Sequence, residues 1–432
     1  RILAPQPTMK SFLDKIFLRS NNINDISQNI KNLTEKTPAQ KIFNSINSYS
    51  SESEIRYVGG CIRKIINKEN IDDIDLATNL EPKQVCEALE KNNIYFYKSG
   101  IEHGTVTALV DDHKFEITTL RKDISTDGRY AKVEFSKDWK EDSLRRDFTI
   151  NSIYADKDGN IFDPHNGKKD LENGNVKFIG NVEKRIQEDY LRILRYIRFF
   201  LNYSKQPHNL ETIRSLKKNI GAISKLSKDR LLDELKKFAK ISTLEKLSKD
   251  KFSLDIISMI FPELKNIKIF SKLTTSNKNF LKKNDFIFLL SLMIIDDTDN
   301  TDYFLYKFNI SKKDQKRIKN IDNFYKEKIN SKSFTETSMN KVFYYHGKET
   351  AIDIINHRII KSKKIDNFLT ELAKHYENSE LPIMPINADL LMKKYEIPAG
   401  KQLGEKLKSI EKEWVKNNFR ISNQQVEKIV NN

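Results

Sequence analysis

The distribution of hydrophobic and polar residues divides the chain near residue 180. Before that point, short β-type runs alternate with glycine-bearing turns, and these runs are IRYVGG, DIDLAT, HGTVTALV, KFEITTL and GNIFDP. After it, glycine and proline become scarce, and apolar residues recur at the spacing of helices. The pattern predicts a mixed α/β unit up to about residue 180, followed by an all-helical remainder.

The helical part contains two polar segments and one strongly apolar segment. Leu273–Asp285 and Lys328–Ser338 are polar and predict loops between helices. The run Phe286–Ile295 suits a buried helix and is too short to cross a membrane.

Residues 1–8, before Met9, lack the apolar core of a signal peptide. We therefore expect a reduced, cytoplasmic protein without a membrane anchor.

The composition of the chain indicates what it binds and which stabilising cross-links it lacks. With 76 Lys and Arg against 60 Asp and Glu, the formal net charge is +16, which favours a polyanionic partner, nucleic acid before an anionic membrane. The two cysteines and seven histidines show no CxxC or HxxxH spacing, which argues against structural zinc and a disulfide framework. Cys61 is expected to be a packing residue.

A paired glycine lies between a β-prone run and a helix-prone run. EIRYV leads into Gly59 and Gly60, and CIRKIIN follows. A strand–turn–helix of this kind brings backbone amides and a helix N-terminus together, which favours an anion site. Arg63, one turn into the helix, adds a charged contact for a phosphate. Diglycine turns are commonly structural, so this motif does not establish a site by itself.

Asp73 and Asp75 follow closely in the segment DDIDLAT. In a strand, residues i and i+2 face the same way, so both carboxylates converge and call for a cation. Hard oxygen ligands favour Mg²⁺. A polar strand end is the alternative for an isolated DxD, and the nearby glycine motif favours the metal. Glu116 is either a third carboxylate or a salt-bridge partner. The implied chemistry is two-metal phosphoryl transfer that releases pyrophosphate, with Asp73 and Asp75 as the catalytic residues.

A second group of charged residues follows later in the chain. Arg145, Arg146 and Asp147 precede a β-type run, and Arg185–Phe200 reads as one helix. If Asp189 lies on that helix, the arginines that follow it at three-residue steps fall on one side of the helix and the apolar residues fall on the other. These arginines are Arg192, Arg195 and Arg198. A solvated face usually alternates acids with bases, and no acid follows Asp189 here.

These blocks together resemble the class II tRNA nucleotidyltransferase and bacterial poly(A) polymerase family of the polymerase-β-like superfamily. The matching segments, in the order of the family, are VGGCIR, DDIDLAT, GIEHGTVTALV, FEITTLRKD, TDGRYAKVEF, RRDFTINS, IFDPHNGKKDL and EDYLRILRYIRF, over about residues 56–200. Asn387–Val415 is similar, less specifically, to the RNA-binding tail of the family. The glycine motif of the family usually continues with Arg-Asp, whereas Lys64 stands here.

The resemblance implies an α+β fold, with a polymerase-β-like nucleotidyltransferase head of mixed sheet and helices and an all-α neck, body and tail. The implied boundaries are 1–36 for an N-terminal extension, 37–180 for the head, 181–245 for the neck and 246–432 for the RNA-binding body and tail. It also implies Mg²⁺, CTP and ATP, and the acceptor arm and 3′ end of tRNA, with no protein partner and no membrane.

The resemblance assigns roles to residues already singled out. Gly60 and Arg63 are expected to hold the nucleotide triphosphate, and Asp73 and Asp75 to hold magnesium. Arg146 is expected to contact the nucleotide, and four further residues complete the nucleotide pocket, namely Asp189, Arg192, Arg195 and Arg198.

Asp189 and Arg192 also have a chemical rationale as base readers. Cytosine and adenine both present an exocyclic amino donor beside a ring-nitrogen acceptor, whereas guanine and uracil present the reverse. A carboxylate that accepts from the amino group and a guanidinium that donates to the ring nitrogen would accept C and A, and would leave G or U with unpaired polar groups.

Several functions remain open from the sequence. Poly(A) polymerases of the family tend to carry a GRRF…HV block where this chain has Ser99–Val110, so complete CCA addition is favoured over poly(A) addition or partial addition of CC or A. A non-catalytic RNA-binding module should have lost Asp73 and Asp75, and a DxD glycosyltransferase leaves the arginine series unexplained. The sequence assigns no role to the loop Asp123–Glu141.

Overall fold

The computed structural model describes residues 26–71, 73–125, 132–327, 329–362 and 366–431. The chain forms two compact units, of which the first ends at Arg230 and the second begins at Leu231. The last strand of the described residues lies in the first unit, at Ile161–Phe162, so the predicted change from mixed α/β to helical structure near residue 180 is confirmed. Most of the predicted N-terminal extension and part of the segment TDGRYAKVEF lie outside the described residues.

Within the described residues, the head of the first unit combines nine strands with six α-helices. The strands are β1 Ile55–Val58, β2 Ile74–Thr78, β3 Tyr95–Gly100, β4 Thr105–Val110, β5 His113–Thr119, β6 Arg121–Ser125, β7 Lys132–Phe135, β8 Tyr154–Ala155 and β9 Ile161–Phe162. The helices described there are α1 Ile26–Glu35, α2 Ala39–Asn47, α3 Gly60–Ile66, α4 Pro82–Lys91, α5 Trp139–Leu144 and α6 Gly167–Asn173.

Seven of these strands form one sheet in the order β3-β4-β5-β2-β1-β8-β9, and β6 pairs with β7 separately. β2 and β5 run parallel, with Ile74 opposite Phe115 and Asp75 opposite Glu116, and the other pairs in the sheet are antiparallel. Ile74 and Phe115 are buried in the main core of the head. Because successive residues of a strand point to opposite faces, Asp75 and Glu116 share the face away from that core.

Helices make up the rest of the described chain. The first unit continues with α7 Val182–Glu188, α8 Leu191–Tyr203 and α9 Leu210–Asn219, and α10 Lys228–Phe238 crosses the boundary at Arg230. The second unit continues with α11 Ile241–Lys249, α12 Lys251–Ile260, α13 Thr275–Leu281, α14 Phe286–Ile294, α15 Asn300–Lys307, α16 Lys312–Lys326, α17 Glu336–His346, α18 Lys348–Lys361, α19 Asn367–Asn378, α20 Ala388–Tyr395, α21 Lys401–Lys416 and α22 Asn423–Asn431.

The two predicted loops of the helical part are wrong in part. Leu273–Asp285 contains α13, because the Thr274 side chain caps its N-terminus by accepting from the Asn277 N–H and Leu281 is buried. Within Lys328–Ser338, a short 3₁₀ helix and the start of α17 occupy most of the described residues. These short helices depend on caps and burial, which a search for apolar periodicity does not detect.

The apolar run beginning at Phe286 forms the buried helix α14, as predicted. Across the described parts of the chain, no helix has both the length and the apolar character needed to cross a membrane.

Candidate functional site

The diglycine turn connects β1 to α3, as the sequence predicts. Gly59 has a φ of 65°, a conformation that side chains other than glycine rarely adopt. A Cβ atom on Gly60 would lie 3.9 Å from both the Arg63 Nη2 and the Asp75 Oδ2 atoms. The turn therefore brings the backbone at Gly60, the Arg63 guanidinium and one of the paired carboxylates to the same place. Cys61 is buried beside it, and burial raises the pKa of its thiol to about 12, which fits a packing role.

Two of the carboxylates lie side by side on one face of the sheet, and the third is close in sequence. Asp73 lies one residue before β2, Asp75 lies within β2, and the parallel register puts Glu116 of β5 beside Asp75. Glu116 also forms a salt bridge with Lys114, at 3.3 Å between Nζ and Oε1. The salt-bridge alternative for Glu116 is therefore confirmed, and Glu116 also lies on the same face as Asp75, whereas its role as a third metal carboxylate stays a prediction.

The electrostatics of Asp75 reflect this clustering. Its side chain keeps access to solvent, yet desolvation by the surrounding protein and the negative charges of Glu116 and Asp73 raise its pKa. The Arg146 and Lys64 charges act in the opposite direction. Lys64, which stands where the family pattern has an aspartate, therefore places a positive charge near Asp75. Among the described residues, no three acidic, histidine or cysteine side chains converge closely enough to form a metal-binding group by themselves.

Arg146 lies beside the glycine turn and is fixed by a buried acid. A Cβ atom on Gly59 would lie 3.8 Å from the Arg146 Nη1 atom. The Arg146 guanidinium donates to both Asp142 and the Tyr154 hydroxyl, and Arg145 donates to the same carboxylate. Burial opposes ionisation of Asp142, but the charges of Arg146 and Arg145 lower its pKa to about 2. Asp142 thus orients Arg146 towards the turn.

A hydrogen-bonded chain links the glycine turn to α8. The Arg63 guanidinium donates to the Asn151 Oδ1 atom, and the Asn151 amide donates to Asp147 at 2.9 Å. Arg195 forms a salt bridge with the other oxygen of Asp147 at 2.6 Å. Burial opposes ionisation of Asp147, but the Arg195 charge and the hydrogen bond from Asn151 lower its pKa to about 2.

The same region of α8 carries the last predicted arginine. The guanidinium carbons of Arg63, Arg195 and Arg198 lie 4.8, 5.5 and 4.5 Å from the centre of the Phe199 ring. Cation–π contacts with one ring hold three cations together that would otherwise repel each other. Three of the predicted nucleotide-binding residues are therefore adjacent.

The prediction that one continuous helix runs from Arg185 to Phe200 and includes Asp189 is wrong. α7 ends at Glu188, and Asp189 adopts an extended conformation with φ −154° and ψ 105° between α7 and α8. Its carboxylate accepts from the N–H of Leu191, the first residue of α8. The predicted helix from Arg185 to Phe200 is thus two helices, because the local hydrogen bond of Asp189 replaces helical continuation.

Arg192 and Asp189 are three residues apart in the chain and have different partners. Arg192 donates to Glu188, at 2.7 Å, and to the backbone carbonyls of Arg185 and Arg145. Asp189 forms a salt bridge with Arg230 at 2.8 Å. The series of arginines on α8 is confirmed, but acids from elsewhere pair with two of its members, so it is not a solvated face.

Sequence reasoning missed four residues that hold this site together, namely Asp142, Asn151, Glu188 and Arg230. Asp142 could have been found, because it stands three and four residues before Arg145 and Arg146, a spacing that joins side chains on a helix. The run FTINSIYA, expected to be a strand, forms a 3₁₀ turn at Thr149–Asn151 and then the short β8, which directs Asn151 towards Arg63.

We expect acid to weaken the first unit in a defined pH window. Asp142 and Asp147 have folded-state pKa values of about 2, below the 3.8 of an unperturbed carboxyl. The unfolded chain therefore takes up protons first, so the stabilisation is complete above about pH 4 and is lost as the pH falls towards 2. Each shift corresponds to about 2 kcal/mol.

Trp139 lies beside Tyr154 and reports on this part of the first unit. Urea unfolding of a Trp414→Phe variant, followed by Trp139 fluorescence between pH 5 and pH 2, measures the loss directly. Asp142→Asn in the same background should remove about half of the acid dependence. An unchanged dependence in that variant would show that Asp142 does not contribute.

A carboxylate face beside a strand–glycine–helix turn, joined to an arginine-bearing helix, defines a nucleotidyltransferase of the polymerase-β-like class. Residues 55–177 match the family model described as "Poly A polymerase head domain", and residues 279–430 match the family model described as "tRNA nucleotidyltransferase domain 2 putative". The chain belongs to the CCA tRNA nucleotidyltransferase family, because curated members are over 30% identical to it across most of their length.

The relatives include the human mitochondrial CCA tRNA nucleotidyltransferase 1, which is 32% identical over 376 residues, 85% of this chain and 84% of that protein. The CCA-adding enzyme of Streptococcus uberis is 30% identical over 370 residues, 83% of this chain and 88% of its own. The fold is similar to that of the Bacillus stearothermophilus CCA-adding enzyme in complex with CTP, with a TM-score of 0.67, 21% identity, and coverage of 88% of this chain and 92% of that chain.

Proposed function

We propose that this enzyme adds C and A residues from CTP and ATP to the 3′ end of tRNA without a nucleic-acid template, and releases pyrophosphate. The observation that carries the proposal is the position of Asp75, which adjoins both the Gly60 turn and the Glu116 strand. Relatives whose names state CCA addition, and similar folds solved with CTP, with ATP and with tRNA, support the substrate class.

Asp73 and Asp75 would hold magnesium, with Glu116 on the same face. The raised pKa of Asp75 supports this assignment, because a cluster of carboxylates that resists its own ionisation gains most from a divalent cation. Bound magnesium supplies Lewis acidity, which activates the RNA 3′-hydroxyl and stabilises the charge of the departing pyrophosphate. The two carboxylates fix where that chemistry takes place.

The triphosphate would lie against the glycine turn. Gly60 leaves room for it, and Arg63 and Arg146 place positive charge beside the turn. Both guanidiniums are held by other side chains, Arg63 by Asn151 and Arg146 by Asp142, so little order has to be created when the nucleotide binds. Arg195 and Arg198, near the same Phe199 ring, extend the positive charge along α8.

The base would be read by Asp189 and Arg192. The Asp189 carboxylate accepts from the exocyclic amino group of C or A, and the Arg192 guanidinium donates to the adjacent ring nitrogen. Each of the two side chains has its own ion-pair partner: Glu188 holds Arg192, and Arg230 holds Asp189. U and G present the opposite donor and acceptor pattern, so each would leave polar groups unpaired.

Product sequencing tests this function against poly(A) addition. We expect a tRNA that lacks its 3′ CCA, incubated with all four nucleotides, to gain C, C and A in that order and then no further residue. The same tRNA with CTP alone should stop after two additions. Long A tracts on any RNA end would contradict the proposal and indicate a poly(A) polymerase, and a product that ends at CC would indicate a partial enzyme.

A further inference from the structure

The carboxylate proposed to read the base is held on both of its oxygens. Asp189 Oδ2 accepts from the Arg230 Nη2 atom at 2.8 Å, and Asp189 Oδ1 accepts from the Leu191 N–H at 3.1 Å. Each side chain of the ion pair is 25% exposed. The pair is therefore partly shielded from water without being fully buried.

Asp189 needs such support because of where it lies in the chain. It stands between α7 and α8 in an extended conformation, so no helical packing fixes its side chain. The one bond from Leu191 leaves the carboxylate free to rotate about the remaining torsion, whereas a second bond on the other oxygen removes that freedom. A reader that is fixed before the nucleotide arrives discriminates better between bases than one that adapts to each of them.

Arg230 is well placed to supply the second bond. It lies in the first turn of α10, where its backbone N–H donates to the Ser227 Oγ atom at 3.4 Å, and the next residues, Leu231 and Leu232, are buried. These contacts anchor the turn that carries the guanidinium. A carboxylate oxygen can accept more than one hydrogen bond, so Asp189 can keep Arg230 and still accept from a base.

We propose that Arg230 is a positioning residue for base selection, which orients the Asp189 carboxylate so that only a base with an amino donor at that place is accepted. The inference rests on the proposed function, because it concerns the residue that reads CTP and ATP. Arg230 acts through Asp189, in the way that Glu188 acts through Arg192.

The test compares the kcat and KM of CTP with those of UTP, and of ATP with those of GTP. For Arg230→Gln we expect selectivity for C and A to fall by about tenfold, mainly through a higher KM for CTP and ATP, the effect of losing one charge-assisted hydrogen bond. Arg230→Lys should retain most of the selectivity. Arg214→Gln, the same substitution at an exposed position of α9, is the matched control and should change nothing.

A double variant separates positioning from direct contact. If Arg230 acts through Asp189, Arg230→Gln should cause no further loss of selectivity in an Asp189→Ala background. An equal loss in both backgrounds, or unchanged selectivity in a folded Arg230→Gln variant, would overturn the proposal. Thermal melting confirms folding, and Arg230→Lys provides the comparison if the Gln variant is unstable. A wild-type enzyme that fails to incorporate C and A would instead overturn the proposed function.

Discussion

Replacing both Asp73 and Asp75 by alanine should abolish nucleotide incorporation. We expect the single-turnover rate of CMP addition to tRNA to fall by at least about 1,000-fold, which corresponds to about 4 kcal/mol of lost transition-state stabilisation. The physical reason is that Asp75 adjoins the Gly60 turn and Asp73 lies two residues before Asp75, so under the proposed assignment the double substitution would leave the cation that stabilises pyrophosphate without protein ligands. Quench-flow with labelled CTP measures the rate.

Asp111→Asn is a suitable control for this substitution. Asp111 is exposed in the same head and forms a surface ion pair with Lys41, at 2.9 Å. Its replacement removes one carboxylate without touching the β2 face, so the rate should stay within about twofold of the wild type, as expected for a surface pair. If the Asp73 and Asp75 double variant incorporated CMP as fast as this control, the proposed chemistry would be wrong.

Removing the base reader should change which nucleotide is added more than how fast it is added. For Asp189→Ala and for Arg192→Ala, we expect the preference for C and A over U and G to fall about 10- to 100-fold. Each variant removes one half of a complementary pair of polar groups, so the correct base loses a hydrogen bond while the wrong base is no longer opposed. Competition between CTP and UTP, with sequencing of the extended tRNA, measures the preference.

Asp233→Ala and Arg214→Ala match these two substitutions in side-chain type at exposed positions. Both controls should keep the wild-type preference. Retention of the C and A preference in both Asp189→Ala and Arg192→Ala would refute their role as base readers. It would leave the Asp73 and Asp75 chemistry untouched, because the carboxylate face and the region around Asp189 have separate hydrogen-bond partners.

The head could be predicted from sequence because its signals are local. The alternation of apolar and polar residues in DIDLAT and KFEITTL predicts β2 and β5 directly, and the Gly59–Gly60 pair predicts the turn. The side-by-side position of Asp75 and Glu116 follows from a parallel register, which the pattern within one strand does not contain. For this reason the sequence left the two alternatives for Glu116 open.

The region around α8 could be predicted only in part. The arginine spacing correctly gave one face of a helix, since periodicity is a property of the segment itself. The break at Asp189 depends on a side-chain bond to the Leu191 N–H, and the partner Arg230 lies 41 residues further along the chain. Contacts between distant segments arise from packing, and a single sequence does not record them.

Binding of a divalent cation is the most direct test of the central claim, that Asp73 and Asp75 form the catalytic metal site. Mn²⁺ replaces Mg²⁺ at oxygen-ligand sites and can be counted by its electron paramagnetic resonance signal. In the presence of CTP, we expect the wild type and Asp111→Asn to bind Mn²⁺ equally, and the Asp73→Ala, Asp75→Ala variant to bind it at least about tenfold more weakly. Equal Mn²⁺ affinity in all three proteins would contradict the account.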